Sequence, residues 1–336
     1  MEDIPVTGLD ELDKHLDDLV RDPTIPLNAK VIDEVELQLT ESNTPPLVTR
    51  FLPRLTTILK QYPSDPTLLA NLTTKLLRPV SFTQVLTLAS PESLIQALDS
   101  PAPSANLLAM TILHKATTSP SQLASMPDLV AAFLRRWLAS PFVEVGQLGG
   151  KVLGDLIQAD HASSASSPFF RAVTGPGEPH HQLITDLCAG RHPDTRDDAH
   201  QLSLAQARLL RVLPRLAGLN ILQVAGSALS NGNRPGAGLL QWAATGMVDK
   251  SDRLLHLSLV DFFKELVVVM RTAEGARAPG AVETLRALLV EAMAEDELLR
   301  GALAKLPEEM VEEEVEEMRA WLKELVPGQV WEVPVR

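Results

Sequence analysis

The sequence predicts an all-α, HEAT/armadillo-like α-solenoid, a curved right-handed superhelix of antiparallel helix pairs. Three observations carry that prediction. Ser100-Pro101 and Ser140-Pro141 stand 40 residues apart, each followed by an apolar ladder at helical spacing. Laying Ser140 on Ser100 puts Leu108, Ala109, Ile112 and Leu113 over Leu148, Gly149, Val152 and Leu153. A period near 40 in a helical chain is what stacked helix pairs produce, because one pair cannot bury its apolar face alone. Composition agrees: 45% of residues are hydrophobic but only 4% aromatic, with a single tyrosine, whereas sheets lean on aromatic and β-branched side chains. The recurring Ser-Pro pair is also a helix-start device. A serine at the N-cap accepts a hydrogen bond from an orphan amide, and proline at the first helical position gives up an N–H that would lack a partner.

The elements follow in order. Leu9, Leu12, Leu16, Leu19 and Val20 keep one face of the first helix apolar, Asp10, Asp13, Asp17 and Asp18 take the other, and Pro23 and Pro26 end it. A second helix runs through Val31, Val35 and Leu39, and a third from about Pro46 to Tyr62 with Leu52, Leu55, Ile58 and Leu59 as its stripe. Asp65-Pro66 starts a fourth by the cap-then-proline rule. From Ser81 to Leu98 the helices shorten, with Ser90-Pro91 marking another start. Segments from Ser100-Pro101 to Ala116, Met126 to Ala139 and Ser140-Pro141 to Ala159 then carry the repeat most clearly. In the last of them Val145, Leu148, Val152, Leu153 and Leu156 form the buried stripe, while Gln147, Lys151 and Asp155 point elsewhere.

Ala162 to His181, rich in Ser, Gly and Pro, reads as an extended loop holding at most one short helix around Phe169-Phe170. The polar stretch Arg191 to Ala199 precedes a long helix with Leu204, Ala207, Leu210 and Leu213 in its core, bent or ended at Pro214. Asn231 to Gly238 is a turn, and Asp249 caps a helix whose Leu254, Leu257, Phe262 and Leu266 repeat the earlier register. Pro279 begins a helix through Leu285, Leu288 and Leu289, and Leu298 to Leu325 supplies a final pair whose acidic outer face reads as a polar cap. The expected organisation is a single solenoid over 1–336: N-terminal arm 1–160, loop-rich break 161–202, C-terminal arm 203–326 and tail 327–336.

A net charge of −13 argues against direct nucleic-acid binding, which needs clustered Lys and Arg to displace counterions. It suits a scaffold that stays soluble and steers basic protein partners. The lone cysteine, Cys188, allows no intrachain disulfide and fits a reducing compartment. The acidic start has no basic segment followed by an apolar stretch, so no secretory signal is read there. Apolar runs such as Leu266 to Met270 fall far short of the ~20 residues that span a bilayer. A soluble protein of the cytoplasm or the nucleus is expected, monomeric on its own and without a membrane partner.

Chemistry-bearing patterns are sparse. His180, His181, Cys188, His192, Asp194 and His200 crowd one region, but adjacent histidines rarely bind one ion together, and the spacing lacks two tight ligand pairs. They read as polar loop residues, not a metal site. No nucleophile elbow, phosphate loop or metalloprotease helix signature occurs, so no catalytic or cofactor-binding residues are assigned. Gly146, Gly149, Gly150 and Gly154 lie in a helix pattern and read as places where a neighbouring backbone comes close. The Ser-Pro pairs at Ser90, Ser100, Ser119, Ser140 and Ser167 also match the minimal context of proline-directed phosphorylation, although capping already accounts for them. Trp137 and Trp242 sit on apolar faces as core residues, and Trp331, in the apolar tail, is expected to fold back on the chain's own groove.

The segments RRWLASPFVEVGQLGGKVLGDLIQAD, Arg135 to Asp160, and DKSDRLLHLSLVDFFKELV, Asp249 to Val267, resemble the proteasome non-ATPase regulatory subunit 5 family. Its fungal branch carries the "high spontaneous mutagenesis" and DNA mismatch repair labels. Elsewhere the likeness is one of helical period and approximate length. What the resemblance implies is a non-enzymatic chaperone of the proteasome regulatory particle, whose concave face holds the C-terminal domain of a base AAA-ATPase subunit and which needs no cofactor. The family's contacts are not fixed by a short motif, so only a face carries over. Bottom-up, that face holds Gln147, Lys151 and Asp155 on one helix and Arg253, His256 and Lys264 on another. The competing expectation is a general HEAT-repeat adaptor in a DNA-repair or transport complex, and a third is an enzyme using Cys188 and the His180 to His200 region.

Overall fold

The computed structural model describes residues 6–164, 166–226 and 238–328. Trp331 and all of the Asn231–Gly238 turn except Gly238 lie outside the described residues. Among those residues every regular element is a helix and there is no strand, as the composition requires. The chain divides into two compact units, Met1–Arg136 with Phe142–Val152, and Trp137–Pro141 with Leu153–Arg336.

The first unit opens with α1 (Leu9–Arg21), α2 (Ala29–Gln38), α3 (Pro45–Gln61) and α4 (Thr67–Leu76). It continues through α5 (Phe82–Leu88), α6 (Pro91–Asp99), α7 (Pro103–His114) and α8 (Pro120–Ala124). Then α9 (Pro127–Ala139) and α10 (Val143–Ser163) contribute residues to both units. α1 packs on α2 and α3, α2 on α4, α3 on α4, and α4 and α6 on α7. Each helix is thus covered by others one to three places along the chain, the arrangement of a helical-repeat stack. Leu12, Leu16 and Leu19 are wholly buried in the α1 seam, each such side chain stabilising by about 1.5–3 kcal/mol. Val20, on the edge of the same stripe, stays 37% exposed. Across the seam Arg50 pairs with Asp10, 40 residues away, at 3.1 Å, and Arg54 pairs with Asp17 at 2.9 Å. Both guanidinium groups also bond Asp13 and lie over the Phe51 ring.

The 40-residue period is written into the helix corners. α7 starts at Pro103 and α10 at Val143, and the first turns match: the Asn106 amide donates to Ala102 O, and the Gly146 amide to Phe142 O. Neither Ser-Pro serine stands at the N-cap position of the helix that follows. Ser100 closes α6, its hydroxyl accepting from the Ala102 amide at 3.2 Å, and Ser140 is fully buried behind α9. The pairs mark the turn between helices, and each helix begins two or three residues later. Serines do cap elsewhere: Ser90 accepts from the Ser93 amide ahead of Pro91, and Ser81 forms a capping box with Gln84. Asp65 sits one place before the cap of α4, where it accepts from the Thr67 amide.

The carbonyls at the two corners repeat as well. Asn106 Nδ2 donates to Ala97 O, Leu98 O and Ser100 O at 2.9–3.0 Å. Forty residues on, Trp137 O, Leu138 O and Ser140 O receive Arg208 Nη1 at 3.0, 2.9 and 2.7 Å. These are the orphan acceptors that every helix end leaves. Lys75 serves Glu36 O in the same way, Gln206 serves Cys188 O and Met247 O, and Arg286 serves Glu324 O and Leu325 O.

The second unit holds α11 (Pro168–Thr174), α12 (Pro179–Cys188), α13 (Pro193–Arg196) and α14 (Ala199–Ala225). α15 (Leu239–Thr245), α16 (Arg253–Thr272), α17 (Ala281–Met293), α18 (Glu297–Lys305) and α19 (Val315–Leu325) complete it. α14 is the hub, packed on α12, α13, α15, α16 and α17, while α18 covers α16 and α19 covers α17. Pro214 does not end α14; the helix breaks at Asn220, whose backbone is extended and whose side chain accepts from the Gln223 amide, capping a short second piece. The 3-10 turn Glu274–Arg277 presses on this break, and a Cβ on Gly275 would lie 2.5 Å from Gly218 O. The cap of α16 is Asp252, which accepts from the Leu254 and Leu255 amides, and Asp249 instead accepts from Ser251 one turn earlier. The helix is therefore rotated from the expected register. Leu254 is 78% and Leu257 43% exposed, while Leu255, Leu259, Phe263 and Met270 join Phe262 and Leu266 in the core. Trp137 is fully buried, as its apolar face requires, whereas Trp242 is half-buried.

Candidate partner-binding site

Two polar rows were candidates for a partner-facing surface. On α10, Gln147 and Lys151 are exposed and belong to the first unit. Asp155, in the second, is half-buried and accepts from Arg215 Nη2 at 2.7 Å, a donor that also reaches Gln158 at 2.6 Å. Gly154 makes this possible, since a Cβ there would stand 2.4 Å from Arg215 Nη1. At this glycine the approaching group is a guanidinium, not a backbone.

On α16, Arg253 is exposed at the first helical position. His256 and Lys264 turn toward the C-terminal helices. His256 Nε2 lies 2.8 Å from Asp296 Oδ2, Lys250 Nζ reaches the same oxygen at 2.9 Å, and the Asp296 side chain is 1% exposed. Burial raises the Asp296 carboxyl, but the Leu299 amide, Lys250 and His256 outweigh it and hold the group below the usual carboxylate range. Further along α16, Lys264 pairs with Glu309, and Arg271 with Glu314 and Glu317. This row of cations therefore fastens part of the acidic C-terminal run inside its own unit.

The histidine-cysteine group is dispersed. Pro179 opens α12 early, so His180 and His181 are helical and buried, not loop residues, and Cys188 is buried at the other end. Burial pushes the Cys188 thiol far up, which leaves no accessible thiolate. His192 accepts from the Asp194 amide as the cap of α13, and His200 is exposed. Among the described residues no three His, Cys, Asp or Glu side chains converge to hold a metal ion.

The feature that sequence reasoning passed over is a cleft of about 440 Å³ within the first unit. Leu52 and Leu59 of α3, Leu94 of α6, and Ala105, Leu108 and Ile112 of α7 form much of its apolar wall, and Lys60, Tyr62, Ser64 and Ser93 are polar groups on its lining. It exists because α5 and α6 are short. Their 7 and 9 residues extend about 10 and 14 Å at 1.5 Å per residue, against about 25 Å for the 17 residues of α3. The sequence signal was the shortening of helices between Ser81 and Leu98. An apolar concavity with a few polar groups is the usual form of a binding site.

Residues 9–140 match the family model of the N-terminal domain of the DNA mismatch repair protein HSM3. The match bears out the resemblance to the proteasome non-ATPase regulatory subunit 5 family over that span, and it contains every residue of the cleft. It overlaps the segment Arg135 to Asp160 only at residues 135–140 and does not reach Asp249 to Val267. Neither a curated protein nor a solved structure matches the chain.

Proposed function

From the match of its N-terminal region to the HSM3 domain, we propose that this protein is a non-catalytic assembly chaperone of the proteasome regulatory particle. In this reading it holds the C-terminal domain of one base ATPase subunit until the particle meets the core, and steric occlusion then releases it. No cofactor is needed for such a step. The observation that carries the proposal is the cleft between α3 and α7: it lies wholly inside the matched region, and its open apolar wall suits a folded partner's protruding side chains. Gln147, Lys151 and Arg253 are exposed positions that supply polar contacts, and the protein works in the cytoplasm and nucleus. No helix among the described residues is long and apolar enough to cross a membrane.

Titration calorimetry of the purified chain against the isolated C-terminal domain of each base ATPase tests this. One domain is expected to bind, and Ala105→Trp, which fills the cleft from its half-buried wall, weakens that complex about tenfold, or about 1.4 kcal/mol, without lowering helicity. The absence of a complex with any base ATPase defeats the reading. Joint charge reversal at Lys151 and Arg253 weakens the complex further, and an unchanged affinity removes both residues from the contact. The mismatch-repair description of the matched domain favours a second reading, a helical-repeat adaptor in a DNA-repair complex. The net charge of −13 directs that role to protein contacts, not to the phosphate backbone.

A further inference from the structure

Of the five Ser-Pro pairs in the chain, the fold leaves one serine open to an enzyme. Ser140 and Ser167 are buried, at 0% and 4% exposure, and Thr44, which precedes Pro45, is at 2%. Ser100 and Ser119 are half-buried, and the Ser100 hydroxyl is held by the Ala102 amide. Ser90 is exposed. We propose that Ser90 is the site at which a proline-directed protein kinase phosphorylates this protein.

Backbone geometry supports the assignment independently of exposure. Ala89 (φ −130°, ψ 113°) and Ser90 (φ −66°, ψ 159°) are extended, so Ala89-Ser90-Pro91 already has the form in which a kinase groove accepts a serine followed by proline. The hydroxyl has three polar neighbours, all at the surface: the Ser93 amide donates to it at 3.4 Å, Ser93 Oγ lies 3.2 Å away, and it donates to the exposed Glu92 carboxylate. In the transfer, Ser90 Oγ attacks the γ-phosphorus of kinase-bound ATP, the bond from that phosphorus to the bridging oxygen breaks, ADP leaves, and the hydroxyl proton passes to the kinase's carboxylate base. The new phosphate sits at the start of α6, where free amides and the helix dipole favour negative charge and offset repulsion from Glu92.

Ala89 and Ser93, the residues flanking this position, both line the cleft, so the added charge falls at its edge. Any effect on partner binding rests on the function proposed above; the modification itself does not.

The test is incubation of the purified full-length chain with a proline-directed kinase and ATP, followed by intact-mass and fragment mass spectrometry. One phosphate on Ser90 is expected, and Ser90→Ala, which gives up the α6 cap at a modest cost in stability, stays unmodified. Phosphate placed on Ser100, Ser119, Ser140 or Ser167 ahead of Ser90, or a native chain that takes up none, overturns the assignment. Because incorporation is read without any ATPase domain present, failure here is distinct from failure of the chaperone reading.

Discussion

The α6–α7 corner and the α9–α10 corner present the same three carbonyls, 40 residues apart, and satisfy them by different means. At the first, Asn106 on the fourth residue of the following helix reaches back to Ala97, Leu98 and Ser100. At the second, the fourth residue of α10 is Gly146, which has no side chain to offer, and Arg208 arrives from 68 to 71 residues away. The local answer is imperfect in chemistry. A carboxamide nitrogen has two protons for three acceptors, as Arg208 Nη1 also has at the second corner, but Asn106 Oδ1 is itself buried without a hydrogen-bond partner. Arginine carries donors only, so it suits a pocket made of carbonyls, and its charge adds attraction to the negative end of α9. Its cost is the burial of a cation, which pushes the Arg208 pKa down, helped by nearby Arg211. A helix end is thus a fixed demand, and a repeat can meet it from the adjoining helix or from far along the chain.

The largest expected effect comes from removing the remote donor. Arg208→Met should destabilise the chain by about 3 kcal/mol, because three buried acceptors lose a charge-assisted donor together. Arg208→Lys keeps the charge and recovers part of the loss. Urea unfolding followed by circular dichroism reads both, and a loss below about 1 kcal/mol for Arg208→Met would break the comparison. Asn106→Ala should cost less, about 1–2 kcal/mol, since the substitution also relieves the unpartnered Oδ1. Equal losses at the two sites would mean that the source of the donor does not matter.

These corners also show which parts of the molecule could be read from the residues. The period was legible because a Ser-Pro pair precedes each repeat, although its role as a turn was not: the cap rule fits Ser100 and Ser140 as well as it fits Ser90. In DKSD two aspartates both qualify as the cap of α16, and carrying the register of the earlier Ser-Pro helices onto it placed Leu254 inside when Leu255 belongs there. Arg208 was hidden because nothing local relates it to Trp137 or Ser140. His256 and Lys264 read as outward charges because the acids that hold them, Asp296 and Glu309, stand 40 and 45 residues further on. The glutamate run carried the missing signal, since so much like charge near one end needs cations to face it. The cleft was visible only as shortened helices, a pattern that records missing cover without naming the wall it uncovers.

A third corner, between α1 and α2, reverses the roles and yields the smallest effect. Here the backbone supplies the donor: the Asn28 amide gives its proton to His15 Nε2 at 3.0 Å. Burial lowers the His15 pKa below its ordinary 6.5, with Asp18 pulling weakly the other way, so the folded state favours the neutral ring. A group whose folded pKa is depressed in this way gives its full stability above pH 6.5 and loses it as the pH falls toward the folded value, because the unfolded chain then binds more protons. The midpoint of thermal unfolding should therefore fall between about pH 7.5 and 5.5. His15→Gln keeps an acceptor that cannot titrate, and its curve should be flatter over that window. Asp13 and Asp296, held below the ordinary 3.8, stay ionised there and add no slope of their own. An equal slope in His15→Gln would assign the pH response to the other histidines. A flatter one would separate a helix start that depends on an acceptor's proton count from two helix ends served by Asn106 and Arg208, donors whose charge does not change in that range.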